Sequence, residues 1–378
     1  MPFTGKAIYD PGVHGVETLE DVSPTISIIS PFETPFLNAI GDAPRPATNI
    51  IHEYMEATLQ PNSVTLLANA NASQTTITIT PGIVGKQLMI GTVIENENST
   101  EQFMVEGGTS AGTLTIARAF AQTSAASIGT GDTLSILYNV SLEGADVSQD
   151  ISIPRTRKTN VVAMFKKDII ISNTMQAVSL AGGVASELNY QIVSRSREVL
   201  RDLERAVIRS NISASTLGSA SAYRSMKGLW HSISTNVNTY ASGAISATVV
   251  NGWIRQAWDN GARDLNIMLV GKNVKDELDG LLETQKRVAQ GSSEDSTVRL
   301  MVDQFESTYG MLDIQLNRWM RPNDVIITST NRVKVLPLTG RSFRFQPIAP
   351  TGDATKAMIV GEYTMEVWNE EGMVKAYV

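Results

Sequence analysis

The chain has 378 residues, 42% of them hydrophobic and 18% charged, which suits two or three globular domains and excludes disorder throughout or a collagen-like fibre. It has no cysteine, so a disulfide framework, a cysteine nucleophile, a thiolate zinc site and an iron–sulfur cluster are excluded. With 31 Lys and Arg against 38 Asp and Glu the formal charge is −7, so attraction to nucleic-acid phosphate is not a property of the whole chain, although a local basic face stays open.

The opening Met1-Pro2-Phe3-Thr4-Gly5-Lys6 has no apolar stretch behind a basic one. No run approaches the roughly 18 apolar residues of a membrane helix, so we expect a soluble chain made in the cytosol. Asn71, Asn98, Asn139 and Asn211 head Asn-x-Ser/Thr triplets, read here as coincidences of a Ser/Thr/Asn-rich chain. Residues 1–46 carry prolines at 2, 11, 24, 31, 35, 44 and 46, with apolar patches only at Ile26, Ile28 and Ile29 and at Phe36, Leu37 and Ile40. Proline this dense blocks long helices and leaves too little apolar surface for a core, so the segment is expected to lie as an arm on another surface.

From Asn49 to Leu59 the run Ile50-Ile51-His52-Glu53-Tyr54-Met55-Glu56 reads as a strand, and a second strand-rich run, Val147 to Ser172, returns with Arg155, Arg157, Lys158, Lys166 and Lys167. Between these legs, residues 61–139 hold short alternating strands at Thr76–Thr80, Gln102–Val105, Thr113–Ile116 and Leu134–Leu137, separated by Gly and Asn turns. That pattern predicts an inserted small β-barrel or sandwich, weakly acidic because Lys86 and Arg118 are its basic residues, and facing outward.

Residues 184–209 predict a long helix after Gly182-Gly183, with Leu188, Ile192, Val199, Leu203 and Val207 near 3.6-residue spacing. Its other face carries Arg197, Arg201, Arg205 and Arg209 four apart, a repulsive ladder that Glu198, Asp202 and Glu204 are expected to relieve. A helix is predicted over Ala247–Asn260, a buried strand over Leu265–Val270, and a helix over Val274–Leu282. Residues 284–297 are polar and Gly/Ser-rich, a loop expected to be mobile. Strands then follow at Leu312–Leu316, Val325–Ile327, Val333–Leu336, Ala357–Val360 and Tyr363–Val367.

Catalytic patterns are thin. Gly108-Thr109-Ser110-Ala111-Gly112 fits a nucleophile elbow, but a strand, not a helix, follows it, so Ser110 reads as a hairpin tip. His14, His52 and His231 are far apart and without ligand spacing, and Trp230, Trp253, Trp258, Trp319 and Trp368 read as core packing. No phosphate-binding glycine loop, zinc-protease motif or calcium loop occurs, so no cofactor or metal is expected, and nothing argues for an enzyme.

The order of arm, two-legged excursion, long helix, α+β piece and closing strands resembles that of a tailed-phage major capsid protein of the Hong Kong 97 fold. The resemblance rests on Ser30–Gly41 (SPFETPFLNAIG), Glu187–Gln191 through Arg201–Ala206, Met226-Lys227-Gly228-Leu229-Trp230, Phe305–Gly310 (FESTYG), and Pro350–Asp353 leading to Val360–Val367. It covers nearly the whole chain. It implies an α+β capsid fold, with an N-terminal arm (1–46), an extended E-loop (47–172) bearing the inserted all-β domain (61–139), a peripheral domain (173–240 and 325–378) with its spine helix, and an axial domain (241–324).

The resemblance further implies self-assembly into pentamers and hexamers of an icosahedral shell around double-stranded DNA held without sequence specificity. Portal, scaffold and decoration proteins would be its partners, and the virion its destination. Candidate inter-subunit contacts are Glu53 and Glu56 on the outgoing leg, Arg155, Arg157, Lys158, Lys166 and Lys167 on the return leg, and Arg197, Arg201 and Arg205 on the helix. The return-leg cations are expected to pair with acids of an adjacent subunit. Two other classes stay open at this point: an encapsulin-like nanocompartment shell, and a phage tail or surface-adhesion protein built on β-modules.

Overall fold

The computed structural model describes residues 33–41, 43, 45–59, 62–79, 88–108, 112–146, 152–178, 186–213, 217–286 (281–286 as backbone only) and 304–378. Residues 1–32 of the expected arm with His14, then Lys86, Ser110, Gly182-Gly183 and 287–297 of the expected loop lie outside the described residues. A short helix, α1 (Pro35–Ile40), precedes strand β1 (Ile51–Glu56). Next come β2 (Ser63–Thr65), β3 (Thr76–Thr78), β4 (Thr92–Asn96), β5 (Gln102–Gly107), β6 (Thr113–Ala117) and β7 (Thr133–Asn139). The chain returns through β8 (Thr156–Val161) and β9 (Ala163–Ser172) into α2 (Asn173–Ala177) and the long helix α3 (Glu187–Arg209). Then follow α4 (Leu229–Ser232), β10 (Val237–Thr239), α5 (Ala247–Asp259), β11 (Ile267–Val270) and α6 (Lys272–Lys286). The closing strands are β12 (Gln304–Ser307), β13 (Gly310–Leu316), β14 (Val325–Thr328), β15 (Val333–Pro337), β16 (Arg344–Ile348), β17 (Ala354–Val367) and β18 (Val374–Tyr377).

Two compact units result, one within 1–54 and 159–378, the other within 55–158. In the second, the strands run in the order β2-β7-β4-β5-β6-β3, all antiparallel. An antiparallel bridge between Leu66 and Ile79, just past β2 and β3, joins the two edges, so the sheet closes into a small barrel. Alternation puts Val64, Ile77, Phe103, Val105, Leu114, Ile116 and Leu134 inside. Strand β4 does not alternate in burial, since four of its five residues are buried, and that run gave no period-2 signal.

In the first unit, a mixed sheet runs β10-β18-β14-β11-β13-β12. Its central strand β11 is buried on both faces: Met268 and Val270 pack with Val250, Ile254 and Leu278 of α5 and α6, whereas Ile267 and Leu269 join Leu203 and Val207 of α3. Strands from the expected peripheral and axial segments thus share one sheet, across the boundaries at 240 and 325. A second sheet has β17 at its centre, with β9 along one edge and β15 and β16 along the other. Its face with Ile169, Ile171, Ala357 and Ile359 packs on Val199 of α3.

Three expectations are corrected. Thr284–Lys286, expected to start a loop, continue α6. The two strands expected at 357–360 and 363–367 are one 14-residue strand, β17. Gly361 does not break it; a Cβ there would lie 2.4 Å from Cδ1 of Phe343, so the glycine admits that ring. Strand β16, missed because it contains Pro347, lies at a sheet edge, where a missing N–H is tolerated.

Candidate assembly surfaces

The arm segment at 33–41 is held by its own chain. Pro35 stands in the first turn of α1, where its missing N–H costs nothing, and Phe36 is fully buried among Leu203, Val207 and Met226. The N–H groups of Phe36 and Leu37 donate to the two carboxylate oxygens of Glu204, at 2.9 and 2.8 Å, and Asn317 Nδ2 donates to Oε1 at 2.7 Å. Trp319 Nε1 donates to the Glu33 carbonyl at 2.9 Å, and Gln315 Nε2 to that of Pro35 at 2.9 Å. Burial pushes the Glu204 carboxyl up, against the pull of the Leu37, Phe36 and Asn317 donors. Two expectations change. Residues 33–41 gain burial without a neighbouring subunit, and Glu204 points inward as a clasp instead of relieving the arginine ladder. The signal was present in the sequence: Glu204 is three and four residues from Val207 and Ile208, on the apolar stripe.

Asp202 carries the relief. It pairs with Lys167 Nζ at 2.7 Å, with Arg205 Nη1 at 3.9 Å and with Arg201 Nε at 4.0 Å. Glu198 instead pairs with Arg195. Arg197 is half-buried on the same helix. On the return leg, Lys158 lies 3.8 Å from Glu56 and Lys166 3.0 Å from Asp168, so acids of the same chain engage Lys158, Lys166 and Lys167. Arg155, Arg157 and Glu53 are exposed. The paired legs are β1 and β8, and Val162 N donates to Ile50 O at 2.8 Å.

The motif residues act as internal ties. Glu362 is buried, accepting from Arg224 Nη2 and Arg341 Nε, each at 2.9 Å. His52 Nε2 lies 2.5 Å from Glu366 Oε1. Asn160 is buried and uses its whole amide: Nδ2 donates to the Lys227 and Met365 carbonyls, and Oδ1 accepts from Lys227 and Val161 N–H. In the barrel, Arg118 forks onto Glu101 with two 2.7 Å bonds, and both are buried. Burial raises the Glu101 carboxyl, but Arg118 and the Ala126 and Ala119 N–H groups outweigh it, so its pKa is lowered. Arg118 is therefore not a surface charge.

Other surfaces are apolar and uncovered. On β9, Ile169 and Ile171 face α3, whereas Met164 and Ile170 point away, the latter 66% exposed. Met175, Val178 and Ile348 are exposed in the same unit, and Met55, Leu59, Leu137 and Leu142 in the other. Among the described residues, no helix is long and apolar enough to cross a membrane, and no cluster of three His, Asp or Glu could hold a metal ion.

A sequence model of the SU10 major capsid protein family matches residues 4–377. No curated protein matches the chain. Among solved structures, the capsid of cyanophage A-1(L) superposes with a TM-score of 0.54 at 9% identity, over 97% of this chain and 98% of that one. The capsid of an empty GTA particle gives 0.51 at 10% identity, over 99% and 98%. A Microbacterium phage Oxtober96 chain gives 0.50 at 14% identity, over 99% of each. These likenesses are of fold.

Proposed function

The chain belongs to the SU10 major capsid protein family, and from that premise we propose how it builds its shell. It is a major capsid protein of a tailed phage, with the Hong Kong 97 fold, and self-assembly places it in the virion shell. The family match over residues 4–377 carries this reading and favours it over an encapsulin or a tail protein.

Beyond that, the copies form pentamers and hexamers closing an icosahedral lattice around packaged double-stranded DNA. Residues 1–46 serve as arm, 47–172 as E-loop, 173–240 with 325–378 as peripheral domain and 241–324 as axial domain. The uncovered apolar residues on β9 and on the barrel unit support large interfaces between copies, on the scale of obligate contacts above about 2,000 Å². Arg155 and Arg157 contribute charge contacts to a neighbour. Scaffold and portal proteins assist, the barrel takes any decoration protein, and synthesis is in the cytoplasm of the bacterial host. The role is structural, without catalytic turnover.

Purified chain examined by negative-stain microscopy with size-exclusion light scattering tests this. Closed shells, tubes or rings of five or six copies are expected. A stable monomer of 40.9 kDa under all salts, with purified scaffold added, would overturn it.

A further inference from the structure

Beside the arm clasp, two adjoining cavities of about 500 and 700 Å³ share Arg318 and Met320 in their walls. The smaller is lined further by Lys272, the larger by Arg205 and Arg209, so four cations follow one another along a single groove. They are held in place. Arg205 lies over the Trp319 indole, 4.1 Å from its centroid, and Arg209 Nη1 donates to the Trp319 carbonyl at 3.4 Å. Side chains of Arg205 and Arg318 remain 47% and 59% exposed. Three acids face them: Asp202, already shared with Lys167; Glu33, 3.5 Å from Arg318; and the buried Asp324 near Arg209.

Past the groove, Arg321 and Lys375 lie 5.9 and 5.4 Å from the Trp230 ring, Arg321 with Asp324 at 4.0 Å and Lys375 with Glu370 and Asp324 nearby. Burial first, and then Lys375, Arg321 and Lys227, lower the pKa of His231. In a chain of net charge −7 the groove itself gathers Lys272, Arg205, Arg209 and Arg318, in modest excess over the acids that face them.

We propose that this groove binds the phosphate backbone of double-stranded DNA, so that this face lines the interior of the shell. The proposal rests on the shell reading above, because packaged duplex is the polyanion such a face meets. Cations strung along a groove, not converging on one point, suit a polymer with a charge about every 1.7 Å better than an isolated carboxylate. The groove has no free amide to read a base edge: Asn317 Nδ2 is given to Glu204 and its Oδ1 accepts from Trp319 N–H. Binding is therefore independent of sequence.

Fluorescence anisotropy of a mixed-sequence duplex, titrated with the full chain between about 50 and 200 mM NaCl, tests the proposal. Arg209→Gln/Arg318→Gln should weaken binding about tenfold or more and reduce the slope of log K against log salt by about two, equally on unrelated sequences. Arg344→Gln, on β16 away from the groove, should change neither. Arg318→Gln alone, with circular dichroism matching wild type, guards against misfolding and should reduce the slope by about one. Unchanged affinity and slope in the folded variants would overturn the proposal. So would polyglutamate displacing the duplex at lower charge concentration than competitor DNA, which would mark the groove as an acidic-peptide site. Shells that form while the duplex ignores the groove sink this proposal alone; groove-dependent binding by a chain that never assembles sinks the shell reading instead.

Discussion

Two buried carboxylates show what a single residue does here, and they titrate in opposite senses. Glu204 has its pKa raised by burial, so it stabilises the fold fully below the ordinary carboxylate range and loses that contribution as pH rises through the folded value. Glu101 has its pKa lowered, so its contribution is full above the ordinary range and is lost as pH falls through the folded value. Glu204→Gln should abolish the first pH dependence. It leaves one of the Phe36 and Leu37 N–H groups facing an amide donor, at a cost of about 1–3 kcal/mol. Faster hydrogen exchange confined to 36–40 is the expected reading, and unchanged protection there would show that the clasp does not hold the arm. Arg118→Lys keeps the charge but not the fork, and should cost about 2–3 kcal/mol in thermal unfolding of the full chain near neutral pH, the deficit shrinking at acid pH where Glu101 protonates and wild type loses the pair as well.

At the scale of elements, the long helix joins the parts of its unit. Its N-terminal half packs on the β9/β17 sheet through Leu188 and Ile192, with Val199 near its middle, and its C-terminal end covers Phe36, Met226 and Ile326 through Leu203 and Val207. Where it ends, the chain folds back so closely that Gly228 N donates to Ser210 O at 2.8 Å. A Cβ on Gly228 would meet Ala206 O at 2.7 Å and Ser210 N at 2.8 Å, both backbone atoms that cannot step aside. Gly228→Ala should therefore destabilise by about 1–3 kcal/mol, the usual cost of overpacking, and a variant melting with wild type would refute that close approach.

For the whole molecule, the question is which surfaces meet a neighbour. Arg155 and Arg157 are exposed on the return leg, where the expected inter-subunit charge contact is tested. Arg155→Glu/Arg157→Glu reverses charge on exposed positions, so the fold should persist while shell yield by microscopy drops about tenfold or more, because like charges across an interface cost several kcal/mol. Undiminished shells would remove those residues from the interface.

The sequence by itself determined the α3, α5 and β11 segments to within a few residues, several of the strands between the legs, and the family, because periodicity and motif order are local and sequential properties. It could not decide whether the β-stretch closes into a barrel, since closure depends on Leu66 meeting Ile79, nor that strands from 237 to 377 share one sheet. The roles of the charges were likewise invisible: Glu204, Asp202 and Glu198 lie on one helix, yet one clasps the arm, one gathers Lys167, Arg201 and Arg205, and one answers Arg195. The partners of Glu204 lie more than 100 positions away in the chain and Lys167 lies on a different element from Asp202, so only the tertiary structure brings those within reach.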